Sequence, residues 1–202
     1  INYLDERRLS AYWANTSSNR LMGKLVQEGS GEIKIAMESL LKGNFILVEL
    51  DEQIVFNELG EDENAIWSFM LAGGYLKVRS HFCEEEDGIE KYGLELTNKE
   101  VYIIFRKMIR KWFSKGYSVY NNFIKALLTD DVEAMNYYMN QVAMKTFSYF
   151  DTKKGALEEA EPERFYHGFV LGLMVELAGR YVITSNRESG FGRYDVMLEP
   201  QE

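Results

Sequence analysis

The spacing of apolar residues changes period near the end of the chain, and this change constrains the fold more than any other feature. Phe165, Phe169, Val170, Leu173, Met174 and Leu177 recur at helical spacing behind Pro162, which suits the first turn of a helix. Gly179 ends that helix. Tyr181-Val-Ile-Thr then reads as a strand, and Ser185 to Gly192, polar and with two glycines, as a tight turn. In the next strand Tyr194, Val196 and Leu198 alternate with Arg193, Asp195 and Met197. Alternation puts Asp195 on the strand face opposite Tyr194 and Val196. An acid placed there is costly to bury unless something satisfies it. A salt bridge to Arg193 or Arg187 would do so, and so would a divalent metal.

The preceding residues alternate between helix and strand signals. Residues 10–28 read as a helix capped by Ser10, with a poor helix-forming patch at Asn15 to Asn19 where it can break. Ser30-Gly-Glu-Ile opens a second helix to about Leu41, stopped by Gly43. Phe45 to Leu50 is a short strand. Asp62 caps a third helix through Met70 and Leu71, ended by Gly73-Gly74. Tyr75 to Phe82 and Ile89 to Leu96 form a hairpin across the acidic turn Glu84 to Gly88. Three small helices and a hairpin predict a winged-helix-like module. Its segment lacks the Lys/Arg cluster that phosphate contacts need, so packing competes with DNA contact as its role.

Thr97-Asn-Lys-Glu100 has the form of a capping box, with Thr97 at the N-cap. The helix it opens runs to Ser114, apolar along Val101, Ile104, Phe105, Met108, Ile109 and Trp112, and basic at Arg106, Lys107, Arg110 and Lys111. Gly116 is the best internal boundary, giving domains 1–116 and 117–202. Beyond it come Tyr120–Leu128 and a helix capped by Asp130 or Asp131 to about Met144. Phe147 to Gly155 reads as a strand fragment or loop.

Composition narrows the chemistry. The single cysteine, Cys83, excludes an internal disulfide and a multi-cysteine zinc site, and fits a cytoplasmic compartment. His81 and His167 are the two histidines; His81 reads as a hairpin surface residue. No apolar run approaches the roughly 20 residues that span a bilayer, so no membrane partner is expected. A net charge of −9 disfavours a protein that coats nucleic acid, but not an enzyme that meets it through a local patch and a metal ion. The chain opens on Ile1 rather than Met, which predicts a piece of something longer.

Several stretches resemble one family. Tyr166-His-Gly-Phe, Ser185-Asn-Arg-Glu-Ser-Gly and Gly192-Arg-Tyr-Asp resemble the PD-(D/E)XK nuclease domain at the C-terminus of bacterial AAA-ATPase-like proteins. Tyr12-Trp-Ala-Asn-Thr-Ser, Leu41-Lys-Gly, Trp67-Ser-Phe-Met-Leu-Ala-Gly-Gly-Tyr-Leu and Thr97-Asn-Lys-Glu-Val resemble upstream parts of the same proteins. The resemblance covers nearly the whole chain and is most specific at its end. It implies an α+β, mostly helical chain: a winged-helix-like N-terminal part, further helices, and an incomplete PD-(D/E)XK α/β core.

The resemblance also implies roles. Asp195 corresponds to the metal-binding acid, and Glu163 to the helix acid that assists it, with Glu159 and Glu161 close by. His167, Arg187, Glu188, Ser189 and Arg193 fall where signature residues line the cleft. The implied activity is Mg²⁺-dependent cleavage of nucleic acid, with DNA the expected substrate. Two departures stand out. No (D/E)-x-K follows Asp195 within the sequence, so the segment alone is expected to be inactive. No Gly-x-x-x-x-Gly-Lys-Ser/Thr phosphate loop occurs, so ATP would act through a domain upstream of Ile1. The competing expectation is a non-catalytic interaction module on a degenerate nuclease fold. An open strand edge at residues 193–198 predicts pairing between copies.

Overall fold

The computed structural model describes residues 17–50, 63–83, 89–113, 117–150, 161–189 and 192–201. For 17–18, 63, 117, 145–150, 161–164, 186–189 and 192–195 it describes the backbone alone. The chain is α+β and mainly helical, and it divides into two compact units, Ile1–Met108 and Ile109–Glu202. The expected boundary at Gly116, the caps at Ser10 and Asp62 and the acidic turn at 84–88 lie outside the described residues.

The first unit contains α1 (Ser17–Glu28), α2 (Gly31–Leu41), β1 (Ile46–Val48), α3 (Glu63–Ala72), β2 (Leu76–Cys83) and β3 (Glu90–Leu96). Most of α4 (Lys99–Trp112) also belongs to it. Ser30 caps α2, its hydroxyl accepting from the Ile33 amide at 3.4 Å. The helix then buries Ile33, Met37 and Leu40 at the i, i+4, i+7 spacing of one face. Both α2 and α3 end in a Schellman turn. Asn44 N–H reaches Ser39 O and Gly43 N–H reaches Leu40 O; Tyr75 N–H reaches Met70 O and Gly74 N–H reaches Leu71 O. The residue after each cap must be left-handed, and glycine stands there: φ is 84° at Gly43 and 76° at Gly74.

The three strands form an antiparallel sheet in the order β1-β3-β2. Ile46, Leu94 and Val78 align across it, as do Leu76 and Leu96. The register slips between Val78 and Ser80, leaving Arg79 as the extra residue of a bulge. The core holds Met22, Met37, Trp67, Met70, Leu94 and Phe105. Several polar groups in this core have partners. Tyr75 donates to Asn19 Oδ1 at 2.6 Å, and the fully buried Lys34 ammonium donates to Gly29 O at 2.6 Å.

One expected cap shifts. Val101 N–H donates to Asn98 Oδ1 at 3.0 Å, so Asn98 caps α4 rather than Thr97. The Thr97 hydroxyl instead donates to Gly74 O at 2.8 Å, tying the end of β3 to the end of α3. With that hydroxyl engaged, the next carboxamide takes the capping role.

The second unit contains α5 (Tyr117–Leu128), α6 (Val132–Phe150), α7 (Glu161–Leu177), β4 (Tyr181–Ser189) and β5 (Gly192–Pro200). Asp131 caps α6, accepting from Ala134 N–H at 2.9 Å. The helix runs six residues beyond Met144, so Phe147 to Phe150 are helical rather than strand or loop. No glycine or proline interrupts that run before Gly155, and the helical ladder continues through it. α7 is buried nearly all round between His167 and Leu173, as befits a central helix. Its Phe169 meets the rings of Phe113, Tyr120, Phe123 and Phe165, with centroids 5.0 to 6.4 Å apart.

The final hairpin is longer than expected. β4 continues through Ser189 and β5 begins at Gly192, so Ser185 to Ser189 belong to a strand and not to the turn. Polarity misled here: a strand in an antiparallel ribbon can be polar along its length.

Candidate functional site

The segment bearing Glu163 and Asp195 is built from α7 and the β4–β5 ribbon. Glu163 and His167 lie four residues apart on α7, hence on one face. His167 is 3% exposed, its ring edge-on to Tyr166 with centroids 5.1 Å apart. The ribbon register pairs Ser189 with Gly192, Glu188 with Arg193, Arg187 with Tyr194 and Ser185 with Val196. Four of the expected cleft positions, Arg187, Glu188, Ser189 and Arg193, therefore gather at the closed end of the ribbon. Asp195 follows within the same strand. The ribbon's other end is anchored: Ile183 is buried, and Gln201 N–H donates to Arg180 O at 2.9 Å.

For Glu163, Arg187, Glu188, Ser189, Arg193 and Asp195 these are backbone placements. Among the described residues no three His, Cys, Asp or Glu side chains gather as metal ligands. In kind, the carboxylates of Glu163 and Asp195 suit a hard divalent cation such as Mg²⁺, which takes oxygen donors.

Near the α7 C-terminus, Arg110 Nε lies 3.3 Å from Glu176 Oε2. One of the four basic residues expected on the exposed face of α4 is thus committed to an ion pair. A second, Arg106, lies over the Tyr102 ring at 5.6 Å. Beside the ion pair, the Tyr120 hydroxyl is buried and makes no hydrogen bond among the described residues. Burial pushes its pKa well up; the Glu176 carboxylate adds to this and Arg110 opposes it.

At the end of β2 and β3 that residues 84–88 join, His81 stacks on Tyr92 with centroids 4.8 Å apart, and its Nε2 lies 3.5 Å from Glu90 Oε2. The Tyr92 hydroxyl donates to the same oxygen at 2.6 Å and holds the Glu90 carboxyl below its usual range, with His81 contributing. His81 is exposed, as the sequence suggests, and Cys83 at the end of the strand is exposed too.

The first unit also holds a groove of about 390 Å³ that sequence reasoning missed. The C-terminal turn of α2 brings Lys42 and Asn44, the end of β3 brings Glu95 and Leu96, and the start of α4 brings Lys99 and Tyr102. These stretches lie some fifty residues apart in the chain, and no local motif marks them. Glu95 is held by Lys77 at 3.1 Å and Arg79 at 3.4 Å, and Lys42 pairs with Glu38 at 2.5 Å. Lys99 makes no ion pair or hydrogen bond among the described residues.

No helix among the described residues is long and apolar enough to cross a membrane. Compared with protein-family models, curated proteins and solved structures, the chain matches none.

Proposed function

We propose that this chain is a segment of a metal-dependent nuclease of the PD-(D/E)XK kind, cleaving phosphodiesters of nucleic acid, DNA by expectation. The observation that carries the reading is Asp195 inside a strand that is register-locked to β4, directly after the helix bearing Glu163. Chain geometry supports it. Glu163 lies roughly 21 Å and His167 roughly 15 Å before Leu177 along α7, at 1.5 Å per residue. Ser185, paired with Val196 beside Asp195, lies roughly 13 Å beyond Tyr181, at 3.3 Å per residue. Only residues 178–180 join the helix to β4, and the two elements pack together. A strand folded back along the helix comes level with His167, about one turn from Glu163.

In this reading Asp195 and Glu163 hold Mg²⁺, which when bound polarises the phosphodiester and supplies an activated water. His167, buried one turn from Glu163, fixes the packing of that part of α7. The polar closed end of the ribbon, with Arg187 and Arg193, meets the phosphate backbone. No (D/E)-x-K element is among residues 196–202. Any ATP dependence would belong to another domain. The second edge of β5 has no partner among the described residues, and there we place the next strand of the core or a second copy. In the full-length protein, Glu163→Gln should abolish Mg²⁺-dependent cleavage while Glu159→Gln and Glu161→Gln leave it intact. Equal loss in all three would remove Glu163 from the site.

A second reading has its own observation. The β1-β3-β2 antiparallel order, with helices before it and between its strands, fits a winged-helix-like module. Its helix before the hairpin, α3, carries no Lys or Arg and buries Ile66, Trp67 and Met70, so it is unsuited to lie in a DNA groove. On this reading the first unit packs or binds without catalysis. A full-length protein that cleaves no nucleic acid with any divalent metal would favour it.

A further inference from the structure

We propose that the groove of the first unit holds one or two nucleotides of a single nucleic-acid strand, with a base against Tyr102 and phosphates at Lys99 and Lys42. The proposal takes its ligand class from the reading above and adds a binding surface to it. The groove's volume of about 390 Å³ falls in the range of small-ligand sites. Leu40, Leu41 and Leu96 give it apolar walls, and Tyr102 gives it a ring. Stacking on an aromatic ring binds any base, because every base has a π-face. Two ammonium groups stand at the rim: Lys99, without an ion pair among the described residues, and Lys42, which also pairs with Glu38. The one lining carboxylate, Glu95, is already neutralised by Lys77 and Arg79. Lys42, Lys77, Arg79 and Lys99 set against Glu38, Glu95 and Glu100 leave a small excess of cations here, in a chain of net charge −9.

Two further features fit. The groove meets the N-terminal end of α4, where helix amides favour negative charge. Lys99, Tyr102 and Arg106, spaced three and four apart, form a cation–aromatic–cation line leading from the groove along one face of α4. Asn44 and Asn98 add carboxamides at the rim; Asn98 uses its oxygen to cap α4, which leaves its NH₂ group to donate to a ligand. The module thus has two cations and a half-buried ring at this groove, whereas α3 carries no Lys or Arg.

The test is a fluorescence-anisotropy titration of fluorescein-labelled (dT)₈ with the full-length protein at low salt in EDTA. Chelation keeps the readout independent of any cleavage. Tyr102→Ala should weaken binding about five-fold or more, the loss expected for one stacked base, and Tyr102→Phe should not. Lys99→Glu should weaken it at least as much, and Lys99→Gln should lower the salt dependence by about 0.7 in the log–log slope. Neither Lys99 variant threatens folding, since the residue is exposed and an acid is favoured at a helix N-terminus. Failure to bind (dT)₈, or binding unchanged in Tyr102→Ala and both Lys99 variants, overturns the proposal. Displacement of the oligonucleotide by an equal concentration of dTMP overturns the strand assignment, since the groove would then take a free nucleotide.

Discussion

Gly172 in α7 lies against the ring of Phe113: a Cβ built at Gly172 would fall 2.5 Å from Phe113 Cε2 and 2.9 Å from the Tyr120 hydroxyl oxygen. Phe113 and Tyr120 are themselves stacked, with centroids 4.4 Å apart, so the pair cannot withdraw singly. The close approach of the central helix depends on the missing methyl group. Overpacking costs about 1–3 kcal/mol, and the helix propensity of alanine returns up to about 1 kcal/mol. Gly172→Ala should therefore destabilise the protein by about 1–2 kcal/mol in urea denaturation. A rise in stability would show that the ring stack can move aside.

Tyr120 gives a pH signature. An unfolded tyrosine ionises near pH 10, whereas the folded residue, pushed up by burial, stays neutral well beyond that. Its contribution to stability is therefore complete below about pH 10 and falls as pH rises further, by about 1.4 kcal/mol per pH unit. Tyr120→Phe should remove this slope. Equal alkaline slopes in the two proteins, measured by denaturant melts between pH 9 and 11, would contradict the assignment.

At the end of α5 the same Schellman turn seen after α2 and α3 recurs, with Asp131 N–H on Ala126 O and Asp130 N–H on Leu127 O. Here the left-handed residue is Asp130, at φ 56°, not a glycine. A side chain is strained in that region, and an acid at a helix C-terminus opposes the dipole. Asp130→Gly should raise stability by about 0.5–1 kcal/mol. A lower melting temperature would mean that the Asp130 side chain contributes more than its backbone conformation costs.

The start of α4 separates two neighbours. Asn98→Ala removes the cap and should cost about 1 kcal/mol. Thr97→Val removes only a solvent-accessible bond to Gly74 O and should cost less. The reverse order in equilibrium unfolding would restore Thr97 as the cap.

These cases show what the sequence made legible. Helix ends announced by Gly43, Gly73-Gly74 and Gly179 are where expected, because φ beyond zero is a local demand that glycine meets without strain. The Asn98 cap was not legible, because Thr97 is drawn away by a carbonyl 23 residues earlier in the chain. Ser185 to Ser189 read as a turn because polar residues are common in turns, and polarity alone does not exclude a strand. The placement of Glu163 and His167 on one helix and of Asp195 in a strand followed from periodicity. The groove around Lys99 and Tyr102 could not, since residues 40–44 and 95–102, distant in the chain, assemble it.

The central claim is that Asp195 holds a catalytic metal, and cleavage of end-labelled DNA by the full-length protein tests it most directly. Cleavage should require Mg²⁺, stop with EDTA, and fall at least 100-fold in Asp195→Asn at unchanged melting temperature, as expected for loss of a group that acts in the transition state. Mg²⁺-dependent cleavage at the wild-type rate by Asp195→Asn would contradict it.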